Sequence, residues 1–155
     1  SPVSRERPNV EWLERYRIAI QNRPTDTPIE YSAQYDKYRA VLRSISEAKR
    51  DDLEAHENYF SEFVSLLRAG NPTKDGYQVL IDEIGRVEAL LYSEGDSDLL
   101  KHLRRYRGEA VAMISQVSSD ITDEFLDGGI EDLRQASQVR PDDSSIVEAL
   151  YTIYL

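Results

Sequence analysis

The chain contains two histidines, and each has an aspartate four residues before it: Asp52 with His56, and Asp98 with His102. Residues four apart lie on one face of a helix, so each pair would place a carboxylate beside an imidazole. Such a pair can orient a general base or supply two metal ligands. Neither pair lies in the Glu-x-x-His pattern of di-iron bundles or the His-Glu-x-x-His pattern of zinc enzymes. We therefore interpret His56 as a polar residue in a helix seam and His102 as a surface residue.

Three glutamates form the other acidic cluster, at Glu54, Glu57 and Glu62. Carboxylates on a helix can hold Mg²⁺, which prefers oxygen ligands, and a metal-dependent hydrolase would use them in this way. Their spacing of three and five residues does not keep them on one helix face, so a solvated surface is the simpler interpretation. The hydrolase remains a third hypothesis. We assign no catalytic, metal-binding or cofactor-binding residue and predict no cofactor.

Positive charge is densest from residue 101 to residue 107, where Lys101, Arg104 and Arg105 share a helix face. These side chains have the chemistry to bind an acidic partner or a phosphate group. The alternative is pairing within the chain, including a pair between Arg105 and Glu109. We keep Lys101, Arg104 and Arg105 as candidate partner-binding residues.

The overall charge is acidic, with 29 acidic and 19 basic residues and a formal net charge of −10 at pH 7. Negative charge favours solubility and also fits adaptation to high salt. It argues against direct nucleic-acid binding, which needs positive charge to displace counterions. An acidic inhibitor that mimics nucleic acid stays open as the alternative function. The chain has no cysteine, which favours the cytoplasm, and no apolar run long enough for insertion in a membrane.

A repeated spacing of three and four residues predicts a long coiled-coil-like helix from residue 29 to residue 69. Its seam begins at Tyr31, Tyr35 and Tyr38 and resumes after a polar stretch at Leu53. The interruption inserts an extra four-residue step, which unwinds a coiled coil locally. We therefore expect a bend or a change of packing partner near residues 48–52.

Similar spacing predicts further helices at residues 9–22, 75–93 and 97–126, with Gly128 and Gly129 as the stop of the last of them. The interior Gly85 and Gly108 each weaken a helix, which close contact with a neighbouring helix would explain. Together these patterns predict an all-α, antiparallel bundle of five to six helices. We place a flexible arm at residues 1–8, the bundle at 9–127 and a C-terminal helical hairpin, packed on the bundle, at 128–155.

The end of the chain has a distinct pattern of small and bulky residues. A small residue, a bulky one, an alanine and a proline follow one another at Gly129, Leu133, Ala136 and Pro141, and the next helix carries Leu150 and Tyr154. With this spacing, residues 126–155 resemble the junction between two tetratricopeptide repeats. The resemblance implies a stacked helical surface that binds a peptide or protein and has no chemistry of its own.

The resemblance has limits within the chain. Gln116 and Asp120 stand where the preceding helix of the repeat has leucine and tyrosine, and no 34-residue period precedes them. An array of such repeats also needs a cap on its last helix. The resemblance therefore implies that a further element or partner covers that helix.

The leading functional prediction is a non-enzymatic protein–protein interaction module: an adaptor, an assembly subunit or a regulator. Its partner would be another protein or a second copy of the chain. Tyrosine is enriched at binding surfaces, and the chain has ten tyrosines. The predicted contact residues, besides the basic ones above, are Tyr31, Tyr35, Tyr38, Tyr151 and Tyr154.

Overall fold

The computed structural model describes residues 10–22, 28–69, 73–92 and 97–155. These ranges form seven α-helices and contain no strand, which confirms the all-α class. The helices are α1 (Val10–Gln21), α2 (Pro28–Ala48), α3 (Leu53–Ala69), α4 (Lys74–Tyr92), α5 (Ser97–Val117), α6 (Asp123–Val139) and α7 (Ser144–Tyr154). The predicted arm at 1–8 and the side chains of Tyr31 and Tyr35 lie outside what the structure describes.

The chain divides into two compact units, residues 1–62 and residues 63–155. In the first unit α1 and α2 pack together, with Leu13, Leu42 and Ile45 buried. The domain boundary predicted between residues 127 and 128 falls inside α6.

The long helix predicted from residue 29 to residue 69 is interrupted at the expected place. Residues 49–52 form a turn between α2 and α3, in which the Asp52 amide donates to the Lys49 carbonyl at 3.1 Å. The Asp52 carboxylate accepts from the Glu54 amide at 3.0 Å and so caps the start of α3. This interruption is one reason why the helices number seven in the described ranges rather than five or six.

In the second unit, α5 packs against α4, α6 and α7. Leu103, Tyr106 and Ile114 of α5 are buried. A smaller cluster joins the last three helices: Ala112 of α5, Leu133 and Ala136 of α6, and Ile146 and Ala149 of α7. Contacts between α5 and α6 pair later residues of one with earlier residues of the other, so these two helices run antiparallel.

The end of α5 and the start of α6 differ from the sequence prediction. The structure ends α5 at Val117 and begins α6 at Asp123, with Thr122 as the cap whose hydroxyl accepts from the Phe125 amide at 3.2 Å. Gly128 and Gly129, predicted as a stop, lie inside α6. The break between α5 and α6 therefore lies about seven residues before the glycine pair, because the Thr122 cap decides where α6 begins.

Candidate protein-binding surface

The last helix, α7, has one face turned toward the rest of the second unit. Ile146 and Ala149 are buried, and Leu150 and Ile153 pack partly buried against the same cluster. These residues recur at intervals of three and four, which places them on a single side of the helix. This inner face attaches α7 to α5 and α6.

The opposite face of α7 is also apolar, and it is exposed. Val147, Tyr151 and Tyr154 have 50%, 64% and 62% of their surface accessible, and Leu155 follows them fully exposed. Their spacing of four and three residues aligns them on one side of the helix. We call Val147, Tyr151, Tyr154 and Leu155 the outer face of α7. A helix that is apolar on both sides is normally covered on both, so this face has the character of a contact surface.

The start of α7 is held firmly by charged groups. Asp143 caps the helix by accepting from the Ser145 amide at 2.9 Å, and its carboxylate pairs with Arg105 of α5 at 2.9 Å and with Arg140 at 2.8 Å. Burial would raise the pKa of Asp143, but hydrogen bonds from Ser145 and Arg140 and the charge of Arg105 lower it well below its ordinary value. The outer face is therefore presented on a helix that is fixed at its first turn.

A second carboxylate lies beneath that turn. Glu109 of α5 is buried, and burial raises its pKa, whereas Arg105 and the Ser145 side chain favour its charged form. The sequence interpretation paired Arg105 with Glu109. In the structure the guanidinium of Arg105 donates to Asp143, and it also lies over the ring of Tyr106 at 4.4 Å from the centroid.

The basic cluster predicted for partner binding is largely used inside the second unit. Arg104 pairs with Glu88 of α4 at 3.3 Å and also bonds the Gln135 side chain of α6. Arg105 is held by Asp143. Lys101 lies half-buried on α5. Folding brings acids from α4 and the α7 cap onto this face of α5, so Arg104 and Arg105 lie in internal ion pairs, and their role in partner binding stays a prediction.

Of the predicted tyrosine strip on α2, the structure describes the side chain of Tyr38. Tyr38 is buried with Leu42 and Ile45, and its hydroxyl is hydrogen-bonded to Arg17 of α1. Its ring belongs to the core of the first unit, because α1 covers that side of α2. Tyr151 and Tyr154 are the predicted tyrosines that the structure places on an open surface.

The acids and histidines of the two sequence pairs lie in different surroundings. Asp52 caps α3, while His56 is buried with its Nε2 2.8 Å from the Arg50 carbonyl oxygen. Asp98 is exposed in the first turn of α5. Among the described residues, no three histidine, aspartate or glutamate side chains lie close enough to hold one metal ion.

The first unit contains a small cavity of about 100 Å³ whose rim is charged. It is lined by Glu14, Arg17, Leu42, Ile45, Lys49, Asp52, Glu54, Ala55 and Asn58. Glu14 already pairs with Arg17 at 2.9 Å and lies 4.0 Å from Lys49. The cations of this cavity are therefore satisfied by a neighbouring acid.

Sequence reasoning missed Val147 and Leu155 as site residues. The signal was available, since α7 carries apolar residues on both of its sides and places its few polar ones between them. An exposed pair on α1, in which the rings of Trp12 and Tyr16 stack at 5.6 Å, was likewise interpreted only as helix pattern.

Comparison of the chain with models of known protein families, with characterised proteins and with solved structures finds no match. Within the described ranges, no helix has the length and apolar character needed to cross a bilayer.

Proposed function

We propose that the chain is a non-enzymatic protein–protein interaction module and that the outer face of α7 is its contact surface. The observation that carries the proposal is the continuous exposure of Val147, Tyr151 and Tyr154 on one side of a helix whose other side is packed. Tyrosines on such a face offer a large contact area at little cost in conformational entropy. The role would be that of an adaptor, an assembly subunit or a regulator.

The framework beneath α7 supports this proposal. The Asp143 cap, its two arginine partners and the apolar inner face hold the helix against α5 and α6 before any partner arrives. A contact surface that is ordered in advance loses less entropy on binding. The resemblance of residues 126–155 to tetratricopeptide repeats belongs to the same proposal, since repeat helices also offer a packed side and a side for recognition. A chain without cysteine fits a cytoplasmic module.

The test is a capture experiment with three forms of the tagged protein: wild type, the double variant Tyr151→Ser/Tyr154→Ser, and Val79→Ser. Val79 lies on α4 and is 54% exposed, so its variant removes an accessible apolar side chain elsewhere in the same unit. Each form is incubated with lysate of the source cells, with and without nuclease, at low and high salt.

We expect wild type and Val79→Ser to capture a protein that stays bound after nuclease treatment and at high salt. The double variant should not capture it. Retention of the same proteins by all three forms would remove the outer face of α7 from the proposal. A basic nucleic-acid-processing protein that every form releases at high salt would favour the acidic mimic instead.

A further inference from the structure

The segment that carries the last two helices is rich in acidic residues. From residue 118 to the end of the chain there are nine acidic and two basic residues. Of the two bases, Arg140 is paired with Asp143, and Arg134 is exposed. The exposed acids of this segment are Asp120, Asp123, Glu124, Asp127, Glu131, Asp142 and Glu148. The last two helices therefore combine an apolar strip with a strongly negative setting.

The helix itself has the same character. Glu148 lies three residues before Tyr151, next to it on the helix surface, and no basic residue occurs in α7. A side chain that packs on Val147 and Tyr151 must therefore pass close to the Glu148 carboxylate. An acidic side chain would be repelled there, and a basic one attracted, over a distance of about 10 Å at moderate salt.

The helical structure of this surface restricts the backbone conformation that a partner can have. Except at its ends, the backbone groups of α7 are bonded within the helix, so its side offers no donors or acceptors to an extended strand. A partner that buries its own backbone on this face must satisfy it internally, which a helix does. The residues of the outer face form a ridge at intervals of four and three, and such ridges pack into the groove of another helix.

We propose that the outer face of α7 binds an amphipathic helix whose apolar strip is bordered by lysine or arginine. This inference rests on the proposed function and specifies the chemistry of the partner. The strip from Val147 to Leu155 is about 12 Å long, so the partner contributes about two turns. A second copy of the chain is a poor occupant, because each copy carries a net charge of −10 and would oppose Glu148 to an acidic surface.

The test uses three synthetic peptides of about 14 residues, a length that allows roughly four helical turns. The first has leucines at helical intervals of three and four with lysine elsewhere. The second has the same composition in an order that forms no apolar strip. The third keeps the leucine strip and replaces every lysine by glutamate. Binding of each labelled peptide is measured by fluorescence anisotropy to wild type, to Tyr151→Ser/Tyr154→Ser, to Glu148→Gln and to Val79→Ser.

We expect wild type and Val79→Ser to bind the leucine–lysine strip peptide equally and to bind the other two peptides about tenfold more weakly. The tyrosine double variant should lose about tenfold in affinity for the strip peptide. Glu148→Gln should weaken the same binding by a smaller factor and make it less sensitive to salt.

Several results would overturn the inference. Equal binding of the lysine and glutamate strip peptides, lost in the tyrosine double variant, would refute a basic partner and leave the apolar contact surface in place. Binding of the lysine peptide that survives the tyrosine changes would show attraction to acidic surface alone. A wild-type dimer in sedimentation equilibrium that the double variant dissociates would identify a second copy as the occupant. Loss of a captured protein by the double variant, with no peptide bound, would refute the basic helix and retain the proposed function.

Discussion

A Cβ atom added to Gly129 of α6 would lie 2.5 Å from a methyl carbon of Val111 on α5, closer than such atoms approach in proteins. A Cβ atom added to the neighbouring Gly128 would have nothing within 4 Å of it. Two consecutive glycines of one helix therefore have different roles. Gly129 lets α5 and α6 approach closely, whereas Gly128 has no contact that requires the absence of a side chain.

Opposite effects on stability follow for the two alanine variants. Gly129→Ala should destabilise the protein by about 1–3 kcal/mol, because the new methyl group meets a branched side chain that cannot turn away. Gly128→Ala should stabilise it by up to about 1 kcal/mol through helix propensity. Urea unfolding followed by circular dichroism measures both. Equal effects of the two substitutions would contradict the close packing of α5 on α6.

The glycines also show what sequence reasoning can and cannot supply. Close contact was predicted at Gly108, and the structure confirms it, since an added Cβ would lie 2.5 Å from Leu133. The same prediction is wrong for Gly85, which has nothing within 4 Å. A glycine that makes room for a neighbour and a glycine that ends a helix look alike in sequence. Only the neighbouring helix distinguishes them.

Most helix bounds were predictable within a residue or two because they follow from local periodicity and capping. The starts of α4 and α5 and the interruption after α2 are examples. The pairing of the basic residues was not predictable, because Glu88, Gln135 and Asp143 are 16 to 38 residues from the arginines they bind. The exposure of Tyr151 and Tyr154 also depends on which side of α7 meets α5.

The guanidinium of Arg107 pairs with two carboxylates in the second unit. It donates to both carboxylate oxygens of the buried Asp132, at 2.7 and 2.8 Å, and to Glu88 at 3.0 Å. The hydrogen bond to Asp132 is the main reason that the pKa of Arg107 is raised. Removing Arg107 would leave the buried Asp132 carboxylate without its counterion, and removing Asp132 would leave Arg107 with Glu88 alone.

Single and double variants should therefore differ in a particular way. Arg107→Leu and Asp132→Leu should each lower the free energy of unfolding by about 2–4 kcal/mol, while the double variant should cost less than the two single costs combined. A double-mutant cycle from urea unfolding gives the coupling energy. A coupling near zero would mean that the two side chains do not stabilise one another in solution.

His56, in the first unit, should make the free energy of unfolding depend on pH. Its Nε2 faces the Arg50 carbonyl oxygen, so this nitrogen carries the hydrogen, and Nδ1 is buried without a partner in the described part of the chain. Burial lowers the pKa of His56 below its ordinary value. Protons therefore bind the unfolded chain more readily, and stability should be complete above about pH 6.5 and fall as the pH drops below it.

His56→Gln isolates the effect of the histidine titration on stability, because the glutamine amide can still donate to the Arg50 carbonyl but does not titrate in this range. Wild type should lose stability relative to the variant between pH 7.5 and pH 5, as measured by urea unfolding across the series. Parallel stability curves for the two proteins would contradict a lowered pKa of His56 in the folded protein.

Glu109, beneath the first turn of α7, should give the opposite dependence of stability on pH. Burial raises its pKa, so the folded protein binds the proton more tightly than the unfolded chain. Its contribution to stability is complete below the ordinary glutamate pKa of about 4.3 and falls as the pH rises through the folded value. Glu109→Gln, which removes the titration, should therefore gain stability relative to wild type between pH 4 and pH 7. Urea unfolding at both pH values tests this, and an unchanged or opposite difference would mean that Arg105 outweighs burial at this site.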